Sequence, residues 1–154
     1  VVSSMIFTIL IGAEVFGYFL SVSQLSFALV GFIEGLGLPP VGVLLFIIVF
    51  YMVLGCFMDS LAMILLTVPI FYPLIVANGF DPVWFGIIAV VTVELGLITP
   101  PVGMNLFVIK SVAPDVPLSE IMIGVTPFVV TDIVRLGVLL AFPTISLLLP
   151  RLLG

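Results

Sequence analysis

The chain has 154 residues, of which 64% are hydrophobic and 7% charged, with a formal net charge of −5, one cysteine and no histidine. Soluble domains carry roughly 25% charged residues, so this composition excludes a water-soluble fold and indicates a membrane protein. Three basic residues exclude a nucleic-acid-binding surface, and a single Cys56 excludes an internal disulfide framework and a cysteine-based metal site. Apolar runs such as Val41–Leu54 are continuous rather than alternating, which favours helices over a β-barrel. We therefore predict an all-α integral membrane fold.

Residues 1–40 predict a transmembrane helix followed by an interfacial amphipathic helix. Val1 to Leu20 has the ~20 apolar residues that one crossing requires. From Ser21 to Pro40, small and polar residues recur at helical spacing opposite larger apolar ones, which is typical of a short helix at an interface. The chain opens inside an apolar run without an initiator methionine or a basic leader, so we expect a fragment of a longer protein rather than a signal peptide.

Residues 41–77 hold two apolar arms on either side of a short polar stretch. The first arm, as a helix, reaches only ~21 Å, against a hydrocarbon core of ~30 Å. Either one long kinked helix runs through both arms, or the arms form a re-entrant helical hairpin with its tip at Gly55–Ser60. We favour the hairpin, because Asp59 is costly facing lipid but acceptable at a tip that is buried in protein.

Residues 78–113 predict a transmembrane helix that is broken near 99–103. Pro100 and Pro101 both lack the N–H that a helix needs, and their rings exclude the carbonyls one turn back. The second half, residues 104–112, is too short to cross a membrane alone. Together the halves match one tilted crossing with an unwound middle.

Residues 114–154 predict an interfacial segment and a last transmembrane helix. We place the change between them at Thr126–Pro127, with the last span from Phe128 to Leu149. Asp132 and Arg135 lie three residues apart on one face of this span and can neutralise each other.

The broken helix is the first candidate site for ion or substrate binding. Freed carbonyls at membrane depth need protein, water or ion partners, and transporters use them to coordinate Na⁺. Gly96 and Gly103 permit close backbone approach beside Pro100, while Thr99 and Asn105 add a hydroxyl and an amide oxygen. We predict a Na⁺ site near Gly96, Thr99 and Gly103. The alternative is a packing kink without a ligand.

The hairpin tip is the second candidate site, with Gly55, Asp59 and Ser60 as its binding residues. Asp59 can bind a cation, carry a proton, or brace the tip by accepting amide hydrogen bonds, and the sequence leaves these roles open. Glu94, within an apolar helix, is either a buried functional carboxylate or a protonated, hydrogen-bonded one.

Three motifs, at these spacings, together resemble a known family. They are Gly55–Asp59, Asp81–Gly86, and the run Glu94–Phe107 that contains the double proline. The chain resembles the C-terminal part of the large membrane subunit of TRAP (tripartite ATP-independent periplasmic) transporters. The resemblance covers essentially the whole chain and is most specific from Gly55 to Phe107.

The resemblance implies a function, partners and a mechanism. The function is Na⁺-coupled uptake of small organic acids, such as a dicarboxylate or sialic acid, across a bacterial or archaeal inner membrane. It involves no enzymatic step and no cofactor other than Na⁺ as coupling ion. The partners are a periplasmic solute-binding protein and a small membrane subunit. The large subunit has two inverted repeats in an elevator-type transporter, and this chain is the second repeat, with at most half of the substrate site. Carried over by position, the tip is Gly55–Ser60 and the broken helix is Gly96–Asn105.

Three other functions compete with this interpretation. One is the membrane component of a dicarboxylate/sodium symporter. Another is a non-transporting scaffold or channel subunit, which would not need Thr99 and Asn105. The third is an intramembrane aspartyl protease that uses Asp59 and Asp132 as paired carboxylates. Its signature places glycine directly before the catalytic aspartate, whereas Met58 stands there in this chain.

Overall fold

The computed structural model describes residues 2–35 and 37–153, and these residues form α-helices joined by short connections. The predicted all-α fold is confirmed. The helices are α1 (Val2–Ser23), α2 (Leu25–Gly35), α3 (Pro40–Gly55), α4 (Ser60–Ala77), α5 (Pro82–Ile98), α6 (Met104–Val112), α7 (Leu118–Ala141) and α8 (Pro143–Leu153). By length and composition, α1, α4 and α7 can each cross a membrane.

The first two helices are separated at Gln24, which has a positive φ of 53°. The helix α1 ends at Ser23, three residues later than the predicted end of the first span at Leu20. Most side chains of α1 are exposed, including Phe7, Val15 and Tyr18. The helix α1 therefore contributes little to the core of this chain.

The helices α3 and α4 pack side by side as the two arms of a hairpin. The ring centroids of Phe50 and Phe71 lie 5.3 Å apart, whereas in one continuous helix residues this far apart in sequence would be separated by ~30 Å. The buried Thr67 hydroxyl is hydrogen-bonded to the Tyr51 hydroxyl at 2.8 Å and to the Met63 carbonyl at 2.7 Å. The long kinked helix is therefore not formed.

The helix break covers residues 99–103, between Ile98 and Met104, which is where the sequence predicts it. The helix α5 begins at Pro82, and the carboxylate of Asp81 accepts hydrogen bonds from the first amides of the helix. The Pro100–Pro101 peptide bond inside the break is cis. Two consecutive residues without an N–H explain why the helical hydrogen-bond ladder stops here.

The predicted change of segment at Thr126–Pro127 is wrong, because α7 continues through Pro127 without interruption and ends at Ala141. A single proline removes only one helical hydrogen bond, which a long helix can accommodate. The real boundary is Phe142, where φ is −125° and ψ is 73°. Pro143 follows directly, and a residue before proline is driven out of the helical region.

The core lies where α3, α4 and α5 meet, with α7 packed against α5. Its most completely buried members are large apolar side chains from these helices: Ile47, Tyr51, Met63, Ile75, Phe85, Ile88 and Val93. The indole N–H of Trp84 donates a hydrogen bond to the Leu139 carbonyl at 3.0 Å and so ties α5 to α7. This packing holds the hairpin against the first half of the broken helix.

Candidate functional site

The hairpin tip and the helix break are brought together by a contact between two glycines. A Cβ placed on Gly96 would lie 2.9 Å from the Cα of Gly55 and 2.9 Å from the carbonyl oxygen of Met52. A Cβ placed on Gly55 would lie 3.0 Å from the carbonyl oxygen of Val93. The end of α3 and the last turns of α5 therefore touch backbone to backbone, which only glycine permits at this distance. The two predicted sites are neighbours in the fold.

At the tip, Asp59 is the N-cap of α4. Its Oδ2 accepts hydrogen bonds from the amides of Leu61 at 3.1 Å and Ala62 at 3.3 Å. The sequence left three roles open for Asp59, namely binding a cation, carrying a proton and bracing the tip. These hydrogen bonds correspond to the third role. Both bonds end on the same oxygen and the residue is exposed, so the cap does not occupy the whole carboxylate. Ser60, the first residue of α4, is half-buried beside it.

In the break, two of the carbonyls at the end of α5 find substitute donors. The Thr99 hydroxyl donates to the Leu95 carbonyl at 2.6 Å, and the Thr99 amide donates to the Gly96 carbonyl at 3.3 Å. The Leu97 carbonyl would take its helical hydrogen bond from residue 101, and Pro101 has no N–H. The Leu97 carbonyl oxygen therefore lacks its helical donor.

Gly103 is the point on which two carbonyl oxygens converge. A Cβ placed there would lie 2.6 Å from the oxygen of Leu97 and 2.9 Å from the oxygen of Thr99. The Gly103 amide also donates to the Thr99 carbonyl at 3.0 Å. Thr99, Pro100 and Gly103 therefore lie in one turn, where the carbonyl oxygens of Leu97 and Thr99 come close to Gly103. We call residues 97–103 the oxygen-rich turn. Any larger residue at Gly103 would collide with the backbone.

Asn105 does not join this turn through a hydrogen bond among the described residues. It lies exposed in the first turn of α6. The N-cap position of α6 is Gly103, which provides no side-chain cap, in contrast to Asp59 on α4 and Asp81 on α5. The amides of Met104 and Asn105 therefore begin α6 without a side-chain acceptor.

Glu94, predicted as a possible buried carboxylate, is not buried by the residues that the structure describes. Its side chain is exposed and lies 3.9 Å from the guanidinium of Arg135, which is 3.2 Å from Asp132. The neighbouring residues Val93 and Leu95 are fully buried, so they lie on the face of α5 that packs into the core. Position 94 consequently points outward beside α7.

Sequence reasoning missed the link between Glu94 and Arg135, although a signal was available. The chain has three basic residues, and a carboxylate inside an apolar helix is expected to pair with one of them. The same contacts disfavour the protease interpretation. Asp132 is paired with Arg135 and Asp59 caps a helix, so the structure does not show them as a carboxylate dyad.

Comparisons with a family model and with individual proteins identify the same family. Residues 1–145 match the family model described as "Tripartite ATP-independent periplasmic transporter, DctM component". The C4-dicarboxylate TRAP transporter large permease protein DctM of Pseudomonas aeruginosa is 37% identical over 150 residues, covering 97% of this chain and 35% of that protein. The sialic acid TRAP transporter large permease protein SiaM of Vibrio cholerae is 38% identical over 141 residues, covering 92% of this chain and 33% of that protein.

A third relative has a different printed substrate. The isethionate TRAP transporter permease protein DctMQ of Oleidesulfovibrio alaskensis is 38% identical over 111 residues, covering 72% of this chain and 18% of that protein. The chain thus spans about a third of the length, or less, of the curated relatives to which it is similar.

Proposed function

The chain belongs to the DctM component family of tripartite ATP-independent periplasmic transporters, and from this membership we propose that it is part of the membrane subunit of a Na⁺-driven importer of small organic acids. The family consists of inner-membrane transporters rather than enzymes. The three relatives described above are named for C4-dicarboxylate, sialic acid and isethionate, which are all small organic anions. An organic anion of this size is the proposed substrate class.

The observation that carries the proposal is the oxygen-rich turn beside the hairpin tip. Na⁺ is a hard cation that oxygen atoms coordinate, and unwound helix carbonyls supply such atoms in transporters. The carbonyl oxygens of Leu97 and Thr99 converge on Gly103. The Thr99 hydroxyl uses its proton on the Leu95 carbonyl, which leaves its lone pairs directed elsewhere. We assign the coupling Na⁺ to this turn.

The uncapped start of α6 supports an anionic substrate next to the ion. The first amides of a helix carry partial positive charge and have no partner inside the helix. On α4 and α5 an aspartate accepts hydrogen bonds from these amides, whereas α6, like α3 and α7, has no such side chain. Of these three uncapped helices, α6 is the one that begins at Gly103, beside the proposed ion site. A substrate carboxylate or sulfonate near Gly103 would take that place and would also be attracted to the bound Na⁺.

The family description names a three-part system, so we propose two further partners. A periplasmic solute-binding protein delivers the acid, and a small membrane subunit completes the membrane complex. Since the chain covers about a third of its DctM and SiaM relatives, the remaining polypeptide supplies the rest of the substrate site.

The test is uptake by the full-length subunit, reconstituted with its partners into proteoliposomes without ATP. Uptake of a radiolabelled organic acid should follow an inward Na⁺ gradient and stop when choline replaces Na⁺. Undiminished uptake in choline would remove the Na⁺ coupling and leave the transporter assignment intact. Absence of uptake for C4-dicarboxylates, sialic acid and isethionate, all with Na⁺ present, would overturn the proposed substrate class.

A further inference from the structure

An ion cluster lies on the outer face of α5 and α7, away from the tip and the break. It consists of Glu94, Asp132 and Arg135, whose side chains are 59%, 22% and 47% exposed within this chain. Arg135 stands between the two carboxylates, 3.2 Å from Asp132 and 3.9 Å from Glu94. The mechanism proposed above does not use any of the three.

The surroundings of the cluster are apolar. Val90, one turn before Glu94 on α5, is exposed, and so are Val134 and Val138 on α7. The helix α7 is long and apolar enough to cross a membrane, and Arg135 lies well inside it. Charged side chains within such segments face protein or a water-filled cavity rather than lipid. The outer face of α5 and α7 is therefore covered by something other than acyl chains.

The charges of the cluster indicate the chemistry of what covers it. Two carboxylates face one guanidinium, which leaves one negative charge in excess. Asp132 holds the shorter contact, so the excess falls on the more exposed Glu94. Among the described residues, Glu94 is paired with no cation besides Arg135, and the Lys110 ammonium group is instead bound to the carbonyls of Pro114 and Val116. The complementary surface is basic.

We propose that the face formed by Glu94, Asp132 and Arg135 is an internal docking surface for a membrane helix from the part of the DctM component that lies outside this chain, and that this helix places a lysine or arginine against Glu94. The curated relatives have about twice as much polypeptide again beyond the matched third, enough for many helices around this bundle. A basic side chain there completes an alternating row of two anions and two cations. The inference rests on family membership and not on Na⁺ coupling.

The test uses the full-length subunit in membranes, with the photoreactive residue p-benzoylphenylalanine at position 94. Illumination followed by digestion and mass spectrometry should identify an adduct with a predicted membrane helix of the same polypeptide outside residues 1–154. An adduct with lipid, with another polypeptide, or only with residues 1–154 would overturn the proposal. The readout of this test is a cross-linked adduct and that of the next is the yield of solubilised protein, so neither depends on transport.

A charge reversal tests the electrostatic half of the proposal. Glu94→Lys places like charges together at a covered surface, which disfavours the packing of the two helices, so the yield of monodisperse detergent-solubilised protein should fall roughly tenfold or more. The matched control is Glu120→Lys, at an exposed carboxylate in the first turn of α7 and outside the ion cluster. Changing the cross-linked basic residue to glutamate should restore the Glu94→Lys yield. Equal yields for Glu94→Lys and Glu120→Lys would refute the docking surface.

Discussion

Gly55 and Gly96 are in backbone contact, with each Cα occupying the space that a Cβ on the other would need. Gly55 is the last residue of α3, the first arm of the hairpin, and through this pair it contacts the last turn of α5 before the helix break. Bulkier residues would separate the helices by the thickness of a side chain, and the tip would move away from the oxygen-rich turn. The contact therefore sets the geometry of the proposed ion site without contributing a ligand to it.

The first prediction concerns this contact. Gly96→Ala forces the new methyl group against two backbone atoms that cannot rotate away, and overpacking of this kind costs about 1–3 kcal/mol. We expect a lower melting temperature of the purified subunit and loss of uptake. Gly86→Ala is the control on the same helix, because a Cβ there meets nothing within 4 Å. A Gly96→Ala subunit as stable and active as Gly86→Ala would show that the contact is dispensable.

The second prediction isolates the Thr99 hydroxyl. Thr99→Val keeps the shape and removes the proposed Na⁺ ligand, and an interaction of a charged group with a buried oxygen is worth about 1.5–3 kcal/mol. The Na⁺ concentration for half-maximal uptake should rise about tenfold to a hundredfold, with near-normal membrane expression.

Thr92→Val provides the control for this measurement. Thr92 lies in the same helix α5 and donates to the Ile88 carbonyl at 2.7 Å, the same i to i−4 hydrogen bond that Thr99 makes to the Leu95 carbonyl at 2.6 Å. Its loss should leave the Na⁺ curve unchanged. If both valine variants give the wild-type curve, the break is a kink without an ion ligand at Thr99.

The third prediction separates the charge of Asp59 from its capping role. Asparagine is as good an N-cap as aspartate, whereas alanine loses about 1 kcal/mol of helix stability. If Asp59 only caps α4, Asp59→Asn should transport normally and Asp59→Ala should be modestly less stable. Asp81 provides the matched pair, since it makes the same two bonds at the start of α5. Loss of uptake in Asp59→Asn but not Asp81→Asn would assign a function to the charge.

The fourth prediction concerns access of water to the tip. Ser60 is the half-buried first residue of α4 at the hairpin tip, so we expect water to reach it from one side of the membrane. In a background without native cysteines, including Cys56→Ser, Ser60→Cys should react with a membrane-impermeant maleimide. Complete protection, both with and without Na⁺ and substrate, would contradict a solvent-accessible tip.

Local chemistry made the broken helix predictable. Pro100 and Pro101 cannot donate backbone hydrogen bonds in any fold, so their effect can be predicted from the sequence. As expected, α5 ends just before them and α6 begins just after them. The single Pro127 was a weaker signal, and the packing of α7 on α5 overrode it. Apart from the pairing of the two hairpin arms, the sequence did not specify which distant residues come into contact, although a carboxylate in an apolar helix signals a basic partner. The outward position of Glu94 depends on which residues of α5 face α3, and its approach to Arg135 depends on the packing of α7. The ligand roles assigned to the tip and the break stay predictions.

The double proline has one more consequence, for the transport cycle. A break that is held open by tertiary contacts can heal when those contacts change, and a site built on it can appear and vanish. Here the backbone N–H groups are absent because Pro100 and Pro101 have none in their covalent structure. Residues 99–103 therefore cannot form a regular helix in any state of the protein. For the proposed Na⁺ site, release by refolding of the turn into a helix is therefore ruled out, and we expect release to depend on movements that keep the turn non-helical.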